Sequence, residues 1–566
     1  MSSRSSRPSP LHARVGVALL AGLLLAPLGA AGARADEPAP AAPATPSATS
    51  DPSSPALSVL DTPRELAEQA LAAVQQIVSP DDAPAVPAPA PAPSTTAAPA
   101  GGKDLTLALR DLALRKADLA PADRRTAARL LARPTDSRNG TGDGNCTDEG
   151  EIACYTTTEQ RPVCGPTICV HYVATTKDAA TLTYAQQVLT RMEGVASQYV
   201  AAGYRRPLPD GTTGDTAGNP SGRFDVYLAD LNVPDLGQLY GFCAPEVPTQ
   251  NTLHTTSTAY CALDNDFAAS QFGTANSPAE NLAVTAAHEF FHAIQFAYDV
   301  GEDTWIVEAT ATWAEDQLFD SVNDNLQYLP FGPLGRPQQR LDSSFGITPY
   351  GSWIFFRYLS ERFPRAQAGL PVIIRRIWEF LGARRYSVQG VALALRELRT
   401  DLPLQFSYFT AWNRQPRTYY SEGASYRPAP LRLSYRIGAS ASRTTTFDLE
   451  QLSAKHFRYT PSMSGAWTLR VRVNMSSIAA GGSAIITVKP RGKAPYLRKM
   501  ALNASGDGVL AVPFGSRVDW IELDAINAST RFARCGSLGT NTDATCQGVP
   551  VDNGLKQGVI VRAVRG

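Results

Sequence analysis

Hydrophobic positions recur at helical spacing over most of the chain up to about residue 416. Apolar residues three and four apart mark one face of an α-helix. This spacing predicts helices over residues 63–78, 104–119, 183–203, 277–298 and 304–319. One more predicted helix begins at Pro121. Between them, ICVHYVAT, FDVYLADL and TAYCALDNDF have the alternation and the β-branched or aromatic content of strands. The pattern predicts an α+β domain over residues 137–430.

The hydrophobic period changes near residue 436. The segment AWTLRVRVN places apolar and polar residues alternately, and SAIITV, VDWIEL and GVIVRAV follow it. Short alternating strands separated by turn residues are typical of a β-sandwich. We therefore predict a second, all-β accessory domain over residues 436–566.

The N-terminus has the composition of an export signal. Residues 1–35 combine a basic start, an apolar core interrupted by Pro27, and the small-residue site Ala33-Arg34-Ala35. The alternative is an uncleaved membrane anchor, although this apolar core is short for a bilayer. Residues 36–102 are rich in Ala and Pro and predict a disordered spacer, in which the helix over 63–78 is embedded. No later stretch is apolar enough to span a membrane.

Cysteine spacing and charge narrow the class of protein. The eight cysteines fall in local pairs that indicate disulfides: Cys146 with Cys154, Cys164 with Cys169, Cys243 with Cys261 and Cys535 with Cys546. The alternative is a structural zinc site, which the lack of a Cys-x-x-Cys pair disfavours, and spacing does not fix the connectivity. Disulfides agree with export. The 52 basic residues equal the 52 acidic residues, and no long basic run stands out. A nucleic-acid partner is therefore not expected.

The most informative motif is AAHEFFHAIQFAYD. Ser277, Pro278 and Glu280 form a capping sequence, so a helix that begins there carries through the motif. His288 and His292 then project from one face a turn apart, where both imidazoles reach a single ion. Glu289 is offset around the axis and can hold a water molecule, as in the zincin signature. The alternatives are histidines packed in a core or a structural zinc site.

A catalytic zinc ion needs a third protein ligand and leaves a fourth position for water. The helix predicted over residues 304–319 follows after a short connection and is expected to return beside the first. It carries Glu308 and Glu315, which are seven residues apart and so face the same way. Helical spacing does not choose between them.

A family resemblance does choose. The segment WIVEATA looks like the Trp-Leu-Asn-Glu-Gly-Phe-Ala segment of aminopeptidase N-type gluzincins. Together AAHEFFHAIQFAYD, WIVEATATWAED and YGSWIFFRYLSERF resemble a family of secreted bacterial zinc metalloproteases with a peptidase-MA-like, gluzincin-type core, over about residues 160–365. The resemblance implies that Glu308 is the third zinc ligand, and that Glu315 supports the site from behind or is structural.

The sequence also departs from better-known gluzincins. Thermolysin-like enzymes have an aspartate four residues after the ligand glutamate, which orients a histidine, and this chain has Thr312 there. A different partner for that histidine is required. Val307 stands where aminopeptidase N has asparagine, and the Gly-x-Met-x-Asn motif for the substrate amine is not seen. Aminopeptidase specificity is not implied.

Tyr350, in ITPYGSWIFF, is the candidate donor to the oxyanion. Thr348 is predicted to cap that helix and Pro349 to begin it, which places Tyr350 in the first turn; the alternative is a tyrosine packed under the active-site helix. The acidic loops at Asp264–Asp266 and Asp210–Asp215 are read as solvated loops, with calcium binding as the alternative.

The expected function is a secreted zinc endopeptidase that acts on a protein or peptide substrate. The alternatives are a non-catalytic surface or adhesion protein on a zincin scaffold, and a zinc hydrolase of non-peptide substrates. The helical segment at residues 103–136 is either a propeptide that covers the active site or a packing arm of the next domain.

Overall fold

A computed structural model describes residues 62–78, 105–136, 153–211, 222–233, 237–250, 254–535 and 543–565. All of them belong to the compact unit Val59–Gly566. The predicted signal at residues 1–35 lies outside the described residues, and the predicted spacer is described only over 62–78. None of the helices in these ranges combines the length and the hydropathy needed to cross a bilayer.

The described chain is of the α+β class. The helices are α1 (Pro63–Val78), α2 (Leu105–Arg115), α3 (Pro121–Leu130), α4 (Leu182–Ala201), α5 (Ala269–Phe272), α6 (Pro278–Asp299), α7 (Thr304–Leu318), α8 (Thr348–Gly351), α9 (Trp353–Arg362), α10 (Val372–Leu381), α11 (Ser387–Glu397), α12 (Leu402–Arg414) and α13 (Pro416–Tyr419). The helices predicted from hydrophobic spacing are confirmed, with small shifts at their ends.

The strands of the first part have at most six residues, and most strands of the last part are longer. The first part contains β1 (Val163–Cys164), β2 (Ile168–His171), β3 (Phe224–Ala229), β4 (Asn232–Val233), β5 (Gly237–Gln238), β6 (Gly241–Pro245), β7 (Thr249–Gln250), β8 (Thr255–Thr256), β9 (Ala259–Asp264), β10 (Ala366–Gln367) and β11 (Leu370–Pro371). The last part contains β12 (Leu433–Ile437), β13 (Ser442–Leu449), β14 (Ser453–Pro461), β15 (Ala466–Asn474), β16 (Gly482–Pro490), β17 (Tyr496–Lys499), β18 (Asp507–Gly515), β19 (Val518–Asn527), β20 (Phe532–Ala533), β21 (Val549–Pro550) and β22 (Leu555–Arg565).

A five-stranded sheet of order β1-β2-β3-β9-β6 organises the first part. Strands β2, β3 and β9 are parallel, and β6 runs antiparallel to β9 at one edge. Side chains alternate between the faces of a strand. Val226 and Leu228 therefore join the core formed with α4, α6 and α7, whereas Tyr227 and Ala229 join a second core formed with α1–α3. The segment predicted as a pro- or packing segment thus packs against one face of this sheet.

A buried cation anchors the end of that segment. Arg133 is 2% exposed and contacts the carboxylates of Asp210, Asp225 and Glu246, of which Glu246 Oε2 accepts at 2.8 Å from the guanidinium. His171 of β2 also bonds Asp225, with 3.0 Å between Nε2 and Oδ1. Because buried charges require partners, this network holds residues 131–136 against the sheet.

Two further sheets share one apolar core and form a β-sandwich, as predicted from the period-2 pattern. Their strand orders are β12-β14-β19-β16-β17 and β13-β22-β15-β18. The first strand begins at Leu433, slightly before the predicted boundary. The sandwich packs against the first part of the chain. Five of its residues belong to the core that contains α4, α6 and α7: Leu452, Ala454, Ile485, Ile526 and Ala528. Arg414 of α12 adds a buried ion pair to Glu522 at 2.6 Å.

Three of the four predicted disulfides are present: Cys164–Cys169, Cys243–Cys261 and Cys535–Cys546. Cys146, the predicted partner of Cys154, lies outside the described residues.

We expect Arg133→Ala to lower the free energy of unfolding by about 3–5 kcal/mol, since it leaves buried carboxylates without their cation. Chemical denaturation would measure this loss. Arg64→Ala, which breaks an exposed ion pair with Glu68, is the control and should change stability little. Equal losses in the two variants would contradict an anchoring role for Arg133.

Candidate metal centre

The helix that carries the histidines begins as its sequence predicts. Ser277 is the N-cap, its backbone N–H donates to Glu280 at 2.8 Å, and its side chain accepts from the Glu280 N–H. With Pro278 in the first turn, this capping box begins α6, and the helix is buried from Asn281 to Tyr298. His288 and His292 consequently lie one turn apart in the interior, with 4.7 Å between ring centroids.

The next helix brings one carboxylate to both imidazoles. Glu308 of α7 is fully buried, with Oε2 3.3 Å from His288 Nε2 and Oε1 3.6 Å from His292 Nε2. One donor atom from each of the three residues lies within 4.8 Å of the others. Donors around a tetrahedral zinc ion with bonds of about 2.0–2.2 Å are about 3.4 Å apart. The spacing of these atoms fits such an ion.

Glu315 takes a different position from Glu308. Its Oε1 lies 2.6 Å from Nδ1 of His288, on the opposite edge of the ring from the nitrogen that faces Glu308. A carboxylate at this position accepts the Nδ1 proton and leaves the Nε2 lone pair for a metal. The geometry thus separates the two glutamates that helical spacing left equivalent: Glu308 faces both Nε2 atoms, and Glu315 binds Nδ1 of His288.

A glutamine that the sequence reasoning missed orients the second histidine. Gln295 Nε2 donates to the Val307 carbonyl at 2.9 Å and to Thr310 Oγ1 at 3.0 Å. These bonds identify the other amide atom as the oxygen, which therefore accepts from Nδ1 of His292 at 2.7 Å. Nε2 of His292 makes no hydrogen bond within the described residues and faces Glu308. The three-residue spacing from His292 was the available signal.

Burial and neighbouring groups set the protonation states of two of the candidate ligands, His292 and Glu308. Burial lowers the pKa of His292 to about 4, which keeps its imidazole neutral at neutral pH. Burial acts to raise the pKa of Glu308, but the imidazoles and the Tyr350 hydroxyl lower it, and the net pKa lies below its usual value. Neutral imidazoles and an ionised carboxylate are the forms that bind a metal ion.

Glu289 and Tyr350 border the three ligands. Glu289 is 2% exposed, and its Oε2 accepts a hydrogen bond at 3.2 Å from Thr106 of α2. Tyr350 stacks on His288 with 6.1 Å between ring centroids. Both candidate catalytic residues are therefore buried, and Tyr350 packs against the ring of one candidate ligand.

Tyr350 lies in the first turn of α8, as predicted, but the predicted cap is wrong by one residue. Ile347 occupies the N-cap position and Thr348 is the first residue of α8. Gly351, which follows Tyr350, packs directly on the backbone of Gly332, where any side chain would collide. This close approach fixes the turn that carries Tyr350.

The acidic loops have internal partners. Asp264 accepts hydrogen bonds from the backbone N–H groups of Leu231, Asp266 and Phe267, so it organises a turn. Asp210 pairs with Arg133, and residues 212–215 lie outside the described residues.

A second acidic group already holds a cation from the chain itself. Its members are Asp316, Asp320 and Glu422. All three lie within 4 Å of the Arg357 guanidinium, which supplies the positive charge.

The fold and this centre define an α+β protein with a buried candidate site of two histidines and one glutamate. No protein-family model and no curated protein matches the sequence. Among solved structures, the chain is similar to the pre-peptidase C-terminal domain of a Bacillus anthracis collagenase, with 7% identity, TM-score 0.15, and coverage of 24% of this chain and 97% of that one.

Two other solved structures are similar at the same level. A periplasmic inhibitor of g-type lysozyme from Aeromonas hydrophila has 11% identity and TM-score 0.14, and covers 23% of this chain and 99% of its own. A 4-O-methyl-α-glucuronidase has 10% identity and TM-score 0.14, over 65% of this chain and 54% of its own. Similarities this weak assign neither a family nor an activity.

We expect Glu315→Ala to weaken zinc binding about 10- to 100-fold, because the Nδ1 proton of His288 loses its acceptor. Competition with a fluorescent chelator would measure the affinity. Gln317→Ala, on the same helix but bonded to Asp316, should leave it unchanged. If Glu315→Ala lost zinc completely, as expected when a ligand is removed, Glu315 would itself be a zinc ligand.

Proposed function

We propose that this protein is a secreted zinc-dependent endopeptidase. The observation that carries the proposal is the convergence of His288, His292 and Glu308, with Glu289 one residue along the same helix. The three converging side chains are hard to explain as core packing, because burying imidazole and carboxylate groups is costly unless each polar atom finds a partner. A shared cation supplies that partner.

The donor set favours a catalytic zinc site over a structural one. Within the described residues, the group at this centre has three metal-binding members. Catalytic zinc sites have three protein ligands and keep a fourth position for water or substrate, whereas structural sites close with four. Zinc, when bound there, supplies a Lewis acid that polarises the scissile carbonyl and increases the acidity of water.

The proposed reaction assigns a separate task to each neighbouring residue. Glu289 accepts a proton from the attacking water and passes it to the leaving amine as the carbon–nitrogen bond breaks. The Tyr350 hydroxyl donates a hydrogen bond to the oxyanion of the tetrahedral intermediate. Glu315 and Gln295 hold the imidazoles in the tautomer and orientation that metal binding requires.

Export rests on two features. Residues 1–35 have the pattern of a cleavable signal, and the described chain contains three disulfides. Disulfides persist in oxidising compartments outside the cytosol. The endopeptidase assignment rests on the family resemblance of the motif.

Metal content and activity together test the proposal. We expect about one zinc ion per wild-type chain by elemental mass spectrometry, and its loss from His288→Ala and Glu308→Ala. Glu289→Gln should retain zinc and reduce peptide hydrolysis about 10²- to 10⁴-fold, because the proton acceptor is removed. Glu397→Gln, at an exposed ion pair, is the matched control. A wild-type chain without zinc would refute the proposal.

We expect Tyr350→Phe to lower kcat about 10²- to 10³-fold while zinc content is unchanged, since one donor to the oxyanion is lost. Steady-state hydrolysis of a quenched fluorescent peptide, once a cleaved sequence is known, would measure this. Tyr328→Phe, which alters the ring packed 5.2 Å from Tyr350, is the control. A parallel fall in zinc content would show that Tyr350 acts through packing.

A further inference from the structure

The proposed catalytic groups are closed off from solvent. His288, Glu289, His292, Glu308 and Tyr350 are each no more than 2% exposed. The attacking water must come within hydrogen-bonding distance of the general base, and the scissile peptide bond must reach that water, before hydrolysis can occur. The described conformation therefore does not admit a polypeptide substrate, and some part of the chain must move.

The first turn of α2 is the part that contacts the general base. Thr106 is 1% exposed, and its hydroxyl accepts from the Cys243 backbone N–H at 3.0 Å while it donates to Glu289 Oε2 at 3.2 Å. Since the hydroxyl oxygen serves as acceptor for Cys243, its single proton is available to the carboxylate. Thr106 therefore bonds directly to the carboxylate that is proposed as the general base.

The same threonine also occupies a strand edge. Strand β6 lies at the end of its sheet, and Cys243 pairs with Cys261 of β9 on its other side. Outward N–H groups of an edge strand are where an extended peptide can add by β-augmentation. The Cys243 N–H instead bonds Thr106, so α2 takes a place beside Glu289 that an extended peptide could use.

Side chains further along α2 hold this turn in place. Arg110 donates to the Glu302 carbonyl at 2.9 Å and to Thr304 Oγ1 at 3.3 Å, at the start of the helix that carries Glu308. Leu105, Leu109 and Leu112 are buried in the core between the sheet and α1–α3. That core joins α1–α3 to one face of the sheet. Separating all three helices from the sheet would expose this core, so a local opening of α2 is the less costly movement.

We infer that α2 is an inhibitory segment of this chain, which keeps the metal centre latent until its first turn is displaced from Glu289 and β6. This inference rests on the proposed function, whose active site it regulates. It combines the two readings that the sequence left open for residues 103–136, since the segment packs against the sheet and covers the site.

Thr106→Asp tests the inference, because a second carboxylate beside Glu289 should repel the first turn of α2. Thr126→Asp, on α3, makes the same change elsewhere in the segment and is the control. Arg110→Met, which removes the bonds to Glu302 and Thr304, loosens α2 by a second route if Thr106→Asp does not fold. Circular dichroism would check folding.

Two rates are measured on the zinc-loaded full chain. The first is zinc removal by dipicolinate, and the second is hydrolysis of a quenched peptide library. Loss of a hydrogen bond to a charged group shifts a population about 10- to 100-fold, so both rates should rise by about that factor in Thr106→Asp and less in Arg110→Met. Thr126→Asp should match the wild type.

The outcomes separate this inference from the proposed function. Faster zinc removal without peptide hydrolysis in any variant would support the covering role of α2 and refute the peptidase. A wild type that hydrolyses peptides as fast as every folded variant, with unchanged zinc removal, would overturn the inhibitory role alone. A Thr106→Val variant with lower kcat and an unchanged zinc removal rate would make Thr106 a positioning residue for Glu289 and likewise overturn it.

Discussion

The cost of burying two imidazoles and a carboxylate in one place governs this structure. Their polar atoms face one another at 3.3 and 3.6 Å, and all three side chains are buried. Such a group persists only if every atom has a partner or a shared cation. The surrounding residues meet this requirement in two layers, since Glu315 and Gln295 bind the far nitrogens of the rings and Val307 and Thr310 hold the glutamine.

The elements around the centre are joined through buried polar contacts. Asp303, at the N-cap position of α7, accepts from the Cys546 N–H in the sandwich and from Ser387 of α11. Thr545 of the same disulfide loop bonds Asp342, which is fully buried. The sandwich therefore contacts the start of the helix that carries Glu308, and its separate hydrophobic core does not make it a loosely attached domain.

Helices α1–α3 have two roles that depend on the same packing. They cover one face of the five-stranded sheet, which would otherwise expose apolar side chains, and they bring Thr106 to Glu289. The contact at Thr106 and the anchor at Arg133 lie near opposite ends of residues 105–136. Stability and access to the site are linked for this reason, since loosening the segment affects both.

Local patterns in the sequence determined the elements and the chemistry that they carry. Helical spacing, the capping box at Ser277 and the period-2 alternation after residue 436 depend on neighbouring residues, so they predicted the helices, the sandwich strands and the spacing of His288 and His292. Cysteine spacing similarly predicted the local disulfides. Helical spacing did not separate Glu308 from Glu315, because both lie on one helix face; the family resemblance favoured Glu308. The tertiary structure places Glu308 beside both Nε2 atoms and Glu315 beside Nδ1 of His288, since the two differ in height along α7. It also revealed Gln295 and Thr106, whose partners depend on how side chains pack, and in the case of Thr106 are remote in sequence.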